Sequence, residues 1–244
     1  MLSIIIPTLN EESYLPMLLS AIKRQRFKDY EVIVADNNSK DKTKEIAKRF
    51  GCRVVLGGLP ARARNQGARI AKGDLLLFLD ADIMISEKFL QDSLDEFGKR
   101  KLDIASYTLV PRTDNIFWRN CFNVFYNWPI MISQRFLAYG AMAILVKKEI
   151  FEKVGGFDEE IKLAEDHYFV RMGDKIGKFG ILSSVKVYIS LRRFEKDGYL
   201  TTGIKYLLCG AHMALKGPVK SDIIKYEFDH YSKKEKNRSN FRKQ

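Results

Sequence analysis

Short apolar runs alternate with amphipathic stretches through the first third of the chain. Residues 2–7 and 30–35 are apolar runs of strand length, 53–56 is a shorter one, and 75–79 is apolar without interruption. Between the first two, Thr8-Leu9-Asn10 reads as a turn into a helix starting near Glu11. Residues 40–50 put Ile46, Ala47 and Phe50 on one helical face, with Asp41 in position to cap it. Pro60 suits a helix start and precedes a helical pattern over 62–71. This rhythm predicts an α/β fold: a mainly parallel, twisted sheet with right-handed crossovers, flanked by helices.

After Asp82 the rhythm loosens. Residues 87–99 read as a helix, 104–110 as a strand, 140–147 as a strand and 185–190 as a final strand. Gly155-Gly156-Phe157-Asp158 is a tight turn, and a further helix begins at Glu165. Residues 116–131 are dense in aromatics and poor in charge, as a core helix or a lipid- or sugar-facing surface would be. Residues 199–215 give one apolar helical face, followed by a basic tail. The domain reading is 1–198 as one unit, with 1–82 and 83–198 as its halves, and 199–244 as an extension.

Chemistry first enters at the end of the fourth strand. The run at 75–79 is buried on both faces of a parallel sheet, so Asp80 and Asp82 must emerge where the strand leaves it. Ligands of open α/β sheets bind at that carboxyl edge. Two hard oxygen donors on a tight turn suit Mg²⁺ or Mn²⁺ serving a diphosphate, although Asp80 could equally cap the next helix. Right-handed crossovers bring two more polar loops to the same edge: Pro7, Thr8, Asn10 and Glu11, and then Asp36, Asn37, Asn38 and Ser39. Either loop alone is ordinary turn chemistry. Together with Asp80 and Asp82 they suit a nucleoside diphosphate.

The stretches at 3–12 (Ser-Ile-Ile-Ile-Pro-Thr-Leu-Asn-Glu-Glu), 34–43, 63–67 (Ala-Arg-Asn-Gln-Gly) and 78–82 (Phe-Leu-Asp-Ala-Asp), with Gly155-Gly156-Phe157-Asp158-Glu159 and Glu165-Asp166, occur in a telling order. The chain resembles a family 2 glycosyltransferase, inverting and of GT-A fold, over roughly residues 2–194. The resemblance implies that Pro7, Thr8 and Glu11 line the nucleotide pocket and that Asp36 hydrogen-bonds the base, with Asn38 in the same loop. It implies that Arg64 and Asn65 lie near the nucleotide, that Asp80 approaches the ribose or a metal-bound water, and that Asp82 holds Mn²⁺ or Mg²⁺. Asp166 matches the general base that deprotonates the acceptor. Arg62 and Arg69 flank Arg64, but helical spacing cannot put all three on one face. Arg192 and Arg193 could grip a diphosphate, or simply be a solvated basic pair. His167 reads as second to Asp166 or as a polar helix residue.

Charge changes the list of partners. The 244 residues carry 42 Lys and Arg against 30 Asp and Glu, a formal net charge of +12. Nine of those cations and four of those acids lie in 216–244. A phosphorylated substrate, an anionic membrane or nucleic acid would each suit that excess. The basic residues elsewhere are scattered, which disfavours nucleic acid. A nucleotidyltransferase is the nearer rival, but such enzymes open with a glycine-rich loop, and residues 7–11 contain no glycine. Cys52, Cys121 and Cys209 form no paired spacing, which points to a cytoplasmic setting. The first residues begin a strand, not a secretory leader, and no apolar run approaches the ~20 residues that cross a bilayer. The expected reaction is sugar transfer from a nucleotide-diphosphate sugar, UDP-linked first and GDP-mannose second, to a sugar, protein or lipid-phosphate acceptor. Peripheral contact with an anionic cytoplasmic membrane face fits the apolar stripe and basic tail.

Overall fold

The computed structural model describes residues 1–190 apart from 114, 135–137, 141 and 162, together with Gly198; for Phe117, Trp118 and Phe125 it describes the backbone. Arg192, Arg193, the predicted helix at 199–215 and the basic tail lie outside the described residues.

Seven strands form one sheet in the order β3-β2-β1-β4-β6-β5-β7. They are β1 (Leu2–Thr8), β2 (Tyr30–Asp36), β3 (Arg53–Leu56), β4 (Leu75–Leu79), β5 (Ile104–Pro111), β6 (Ala143–Lys147) and β7 (Phe179–Ile189). The pairs β1/β2, β2/β3, β1/β4 and β5/β7 are parallel. The sheet is therefore mainly parallel, as the strand–helix rhythm predicts. The exception is β6, which runs antiparallel to both β4 and β5.

Strand alternation divides the core into two layers. Leu2, Ile4, Ile6, Leu77 and Leu79 face one side, where α1 (Leu15–Lys23), α2 (Thr43–Arg49) and α4 (Phe89–Lys99) cover them with Leu18, Ile22, Ala47, Phe89 and Phe97. Ile5, Leu76 and Phe78 face the other side. There α3 (Pro60–Ile70), α7 (Lys148–Val154) and α8 (Glu165–Asp174) contribute Ala61, Ala68, Ile150 and Phe169. Both faces of β4 are thus buried, which is why 75–79 tolerates no polar residue.

Several boundaries move from their sequence positions. The first helix starts at Leu15, because residues 11–14 form a turn in which Tyr14 and Leu15 N–H both bond the Glu11 carbonyl. Helix α2 starts at Thr43, whose N–H and hydroxyl both bond the Asp41 carboxylate, so Asp41 lies one residue ahead of the cap. Strand β7 begins at Phe179 rather than 185, and its pairing with β5 shifts register between Tyr107 and Thr108. The aromatic stretch is helical: α5 (Ile116–Phe122), a π-helical turn (Asn123–Asn127) and α6 (Trp128–Ser133). Beyond Ser106, β5 loses its β6 neighbour. The Asn127 amide takes that place, donating to the Leu109 carbonyl at 2.7 Å and accepting from its N–H at 3.1 Å.

Candidate functional site: the carboxyl edge of the sheet

Because β1, β2 and β4 are parallel, their last residues share one edge, and Thr8 lies directly opposite Asp36. Asp36 is 2% exposed and its carboxylate gathers three donors. These are the Thr8 hydroxyl at 3.0 Å, the Ser39 hydroxyl at 2.5 Å and the Ser39 N–H at 2.9 Å. Such a carboxylate ties the turn after β2 to the end of β1. The two loops are stitched further. Asn10 N–H donates to Ser39 Oγ, Lys40 N–H to Asn10 Oδ1, and Glu11 N–H to Thr43 Oγ1. Asn10 and Asn38 both adopt positive φ, 55° and 53°, which asparagine tolerates better than most residues. Pro7 and Glu11 are half-buried in this rim and Asn38 is exposed.

The third loop is organised around one buried cation. On α3, Ala61, Arg64 and Ala68 share the inward face while Arg62 and Arg69 are exposed. Arg64 Nη2 donates to Asp80 Oδ1 at 2.9 Å, and Nη1 donates to Glu165 Oε1 at 2.6 Å. The Phe157 ring lies 5.3 Å from the guanidinium carbon. A buried guanidinium needs two such acids, since an unpaired charge there would cost several kcal/mol. Burial pushes the Asp80 carboxyl up to about 6, with Arg64 opposing the rise and Asp82 and Asp166 adding to it. The Glu165 carboxyl is raised too, chiefly by burial, again against the pull of Arg64. The same two acids hold the guanidinium firmly protonated despite its burial.

Asp166 follows Glu165 at the start of α8, half-buried, and its Oδ1 accepts the His167 N–H at 2.8 Å. Ala164, just before the helix, is held at φ 62°. Gly140 presses on this turn: a Cβ there would stand 2.4 Å from the Asp166 carbonyl. His167 faces Tyr139 edge-on, and its Nδ1 is buried without a partner among the described residues.

The structure thus brings Thr8, Asp36, Arg64, Asp80 and Asp166 to the carboxyl edge. Asn65, by contrast, is turned to the glycine turn. Its side chain bonds the Phe157 carbonyl (2.8 Å) and N–H (2.9 Å), and the Glu159 carboxylate (3.0 Å). Gly156, at φ 80°, has no room for a Cβ beside Asn65 Oδ1. Glu165, read from the sequence only as a helix start beside Asp166, is the site residue to which the sequence assigned no role. An arginine on the buried stripe of α3 was its one signal, because such a residue demands acids from elsewhere.

The donor set fits a hard divalent ion. Asp80 and Asp82 stand on one short turn, both partly exposed. Arg64 occupies one of the roughly four acceptor positions a carboxylate offers. Among the described residues no group of three or more His, Cys, Asp or Glu side chains surrounds such an ion.

Residues 3–146 match the family model described as glycosyl transferase family 2. The chain belongs to that family. An uncharacterized glycosyltransferase of Bacillus subtilis, EpsJ, is 29% identical over 192 residues, covering 69% of this family 2 chain and 54% of the relative. A PGL/p-HBAD biosynthesis glycosyltransferase of Mycobacterium bovis is 29% identical over 179 residues, covering 69% and 68%. The chain thus spans only about half the length of EpsJ. Among solved structures, Staphylococcus aureus TarS in complex with UDP-GlcNAc superposes with a TM-score of 0.65 at 24% identity, covering 78% of this chain and 58% of that one. The mannosyltransferase PcManGT of Pyrobaculum calidifontis, in complex with GDP-Man and Mn²⁺, gives 0.69 at 20% identity, covering 85% and 61%. At those identities the likeness concerns the fold, which is of GT-A type.

Proposed function

We propose that the chain transfers a sugar from a nucleoside-diphosphate donor to a hydroxyl or lipid-phosphate acceptor, with inversion at the anomeric carbon. The observation that carries this reading is the Arg64 bridge, which joins the donor turn at Asp80 to the helix start that bears Asp166. Residues 1–82 would bind the nucleotide and 83–198 the acceptor. Pro7, Thr8, Glu11 and Asn38 would line the nucleotide pocket. Asp36, already bonded three times, would shape the base-binding turn as much as touch the base.

In the displacement, Asp166 takes the proton of the acceptor hydroxyl. The acceptor oxygen bonds to the anomeric carbon, and the bond to the diphosphate breaks with its electrons leaving on the phosphate. Opposite-face attack inverts the centre. Asp82 with Asp80 would hold Mn²⁺ or Mg²⁺, which supplies positive charge toward the departing diphosphate. Arg64 keeps Asp80 in place and opposes its protonation. Arg192 and Arg193, beyond the described residues, would add two more cations at the diphosphate.

The relatives inform the donor without deciding it. One structural neighbour was solved with UDP-GlcNAc and another with GDP-Man. A UDP-sugar is our first choice and GDP-mannose our second. Cys52 and Cys121 are free thiols, in keeping with a cytoplasmic setting. A thermal-shift screen of UDP- and GDP-sugars, each with and without Mn²⁺, tests the reading. A rise in melting temperature for one donor, larger with Mn²⁺, is the expected result. No shift for any nucleotide sugar would refute it.

A further inference from the structure

We propose that the outer face of the helical stretch 116–133 docks on the surface of an anionic bilayer. Four large apolar side chains stand out there: Ile116 is 69% exposed, Val124 54%, Trp128 65% and Ile132 66%. Their spacing is eight, four and four residues. In an uninterrupted α-helix such a row drifts around the axis by about 40° every four residues. The wider π turn at Asn123–Asn127 drifts the opposite way, so the row stays on one side. Solvent-facing apolar side chains are ordinary singly, but a row interrupted by one polar residue, the exposed Asn120, and containing an exposed tryptophan marks an interaction surface.

The opposite face fixes how the row is presented. Phe122 and Tyr126 pack on the core with ring centroids 4.8 Å apart. Asn127 is bonded to the Leu109 backbone, and Gln134 Oε1 accepts the Ile181 N–H at 3.0 Å. The helix therefore cannot roll its apolar row inward without breaking these contacts.

Charge and shape choose the occupant. From Asn115 to Gln134 the one charged residue is Arg119, which is exposed; just outside the stretch the sequence places two cations, Arg135 and the exposed Arg112, and one acid, Asp114. With no carboxylate in the stretch, an anionic surface meets cations and apolar side chains together. Trp128 carries a ring with an apolar body and a polar N–H, suited to the headgroup boundary. A second protein copy is a poorer match. Even at the roughly 200 Å² an aromatic side chain can bury, four side chains would only reach the ~800 Å² per partner of a stable interface, and three of these are smaller.

The inward face of the same helical stretch lies close to the chemistry. Tyr126, Asn127 and Ile130 line a small cavity with Tyr139 and Gly140, and Gly140 backs directly on Asp166. Resting on the transferase reading, docking here implies an acceptor carried on a lipid, delivered to Asp166 from the bilayer side.

The test uses the full chain with phosphatidylglycerol–phosphatidylcholine vesicles, and with phosphatidylcholine vesicles alone. The protein should float with the anionic vesicles only. The double variant Trp128→Ser, Ile132→Ser should float about tenfold less, given the apolar surface removed. In a Trp118→Phe background, where Trp128 is the one remaining tryptophan, brominated lipid should quench its fluorescence. Three results overturn the proposal: no flotation, flotation unchanged by the double variant with Trp128 unquenched, or a dimer in sedimentation that the double variant dissolves. Nucleotide-sugar uptake measured without vesicles separates the two readings. The double variant should retain it. If neither protein takes up a nucleotide sugar while the flotation difference persists, the transferase reading fails and the docking surface stands.

Discussion

The two ends of the carboxyl edge are built on different principles. At the β1–β2 end, side chains from two loops bond each other repeatedly, so the position of each backbone segment is determined several times over. At the β5–β6 end, core packing and separate contacts between distant segments, such as Asn127 to Leu109, Gln134 to Ile181 and Glu165 to Arg64, hold the elements. One amide, that of Asn127, replaces a missing strand, and one left-handed residue, Ala164, turns the chain into α8. Under the function we propose, the β1–β2 end would hold the nucleotide, where redundancy would keep one geometry, and the β5–β6 end would receive the acceptor, where less of it is needed. Arg64 joins the turn after β4 to the start of α8.

That contrast can be broken in graded ways. Asp166→Asn should have the largest effect on the reaction, lowering turnover by ~10²–10⁴-fold, the usual contribution of a positioned general base. Donor affinity, measured by calorimetry, should be unchanged, and an Asn variant that turns over at the original rate would remove Asp166 from the mechanism. Arg64→Met should have the largest effect on the fold, about 3 kcal/mol, because it strands the buried Glu165 and the partly buried Asp80. Chemical denaturation reads that loss, and Arg64→Lys should recover part of it but not all, having one donor point in place of a fork. Asn127→Ala should cost ~1–3 kcal/mol, since both Leu109 backbone groups lose their partner. Ser39→Ala should cost less, about 1 kcal/mol, because Asp36 keeps the Thr8 hydroxyl and the Ser39 N–H, and the Asn10 N–H that loses Ser39 Oγ is half-buried and within reach of water. Equal losses for Asn127→Ala and Ser39→Ala in the same denaturation series would contradict the difference drawn between the two ends.

The strands and turns at the β1–β2–β4 edge were legible in the sequence because their signals are local. An unbroken apolar run followed by Asp80 and Asp82 can only be a buried strand leaving its sheet, and Pro60 marks a helix start by its ring alone. The direction of β6 was hidden, since a strand buried on both faces has the same composition whichever way it runs. The π turn at Asn123–Asn127 has no local signal, and the first part of β7, with Gly180, Ser183 and Ser184, dilutes the strand pattern. The bond from Arg64 to Glu165 joins residues 101 positions apart. Helical spacing shows that Arg64 faces inward but not which acid meets it.

The account turns on whether the acids after β4 serve a nucleotide diphosphate together with a divalent ion. Calorimetric titration of UDP-sugars and GDP-mannose into the protein, with and without Mn²⁺, and into Asp82→Ala, tests this most directly. Uptake of one donor, strengthened by Mn²⁺ in the original protein and no longer strengthened in the variant, is the expected result. Donor uptake that is indifferent both to Mn²⁺ and to the loss of Asp82 would contradict it.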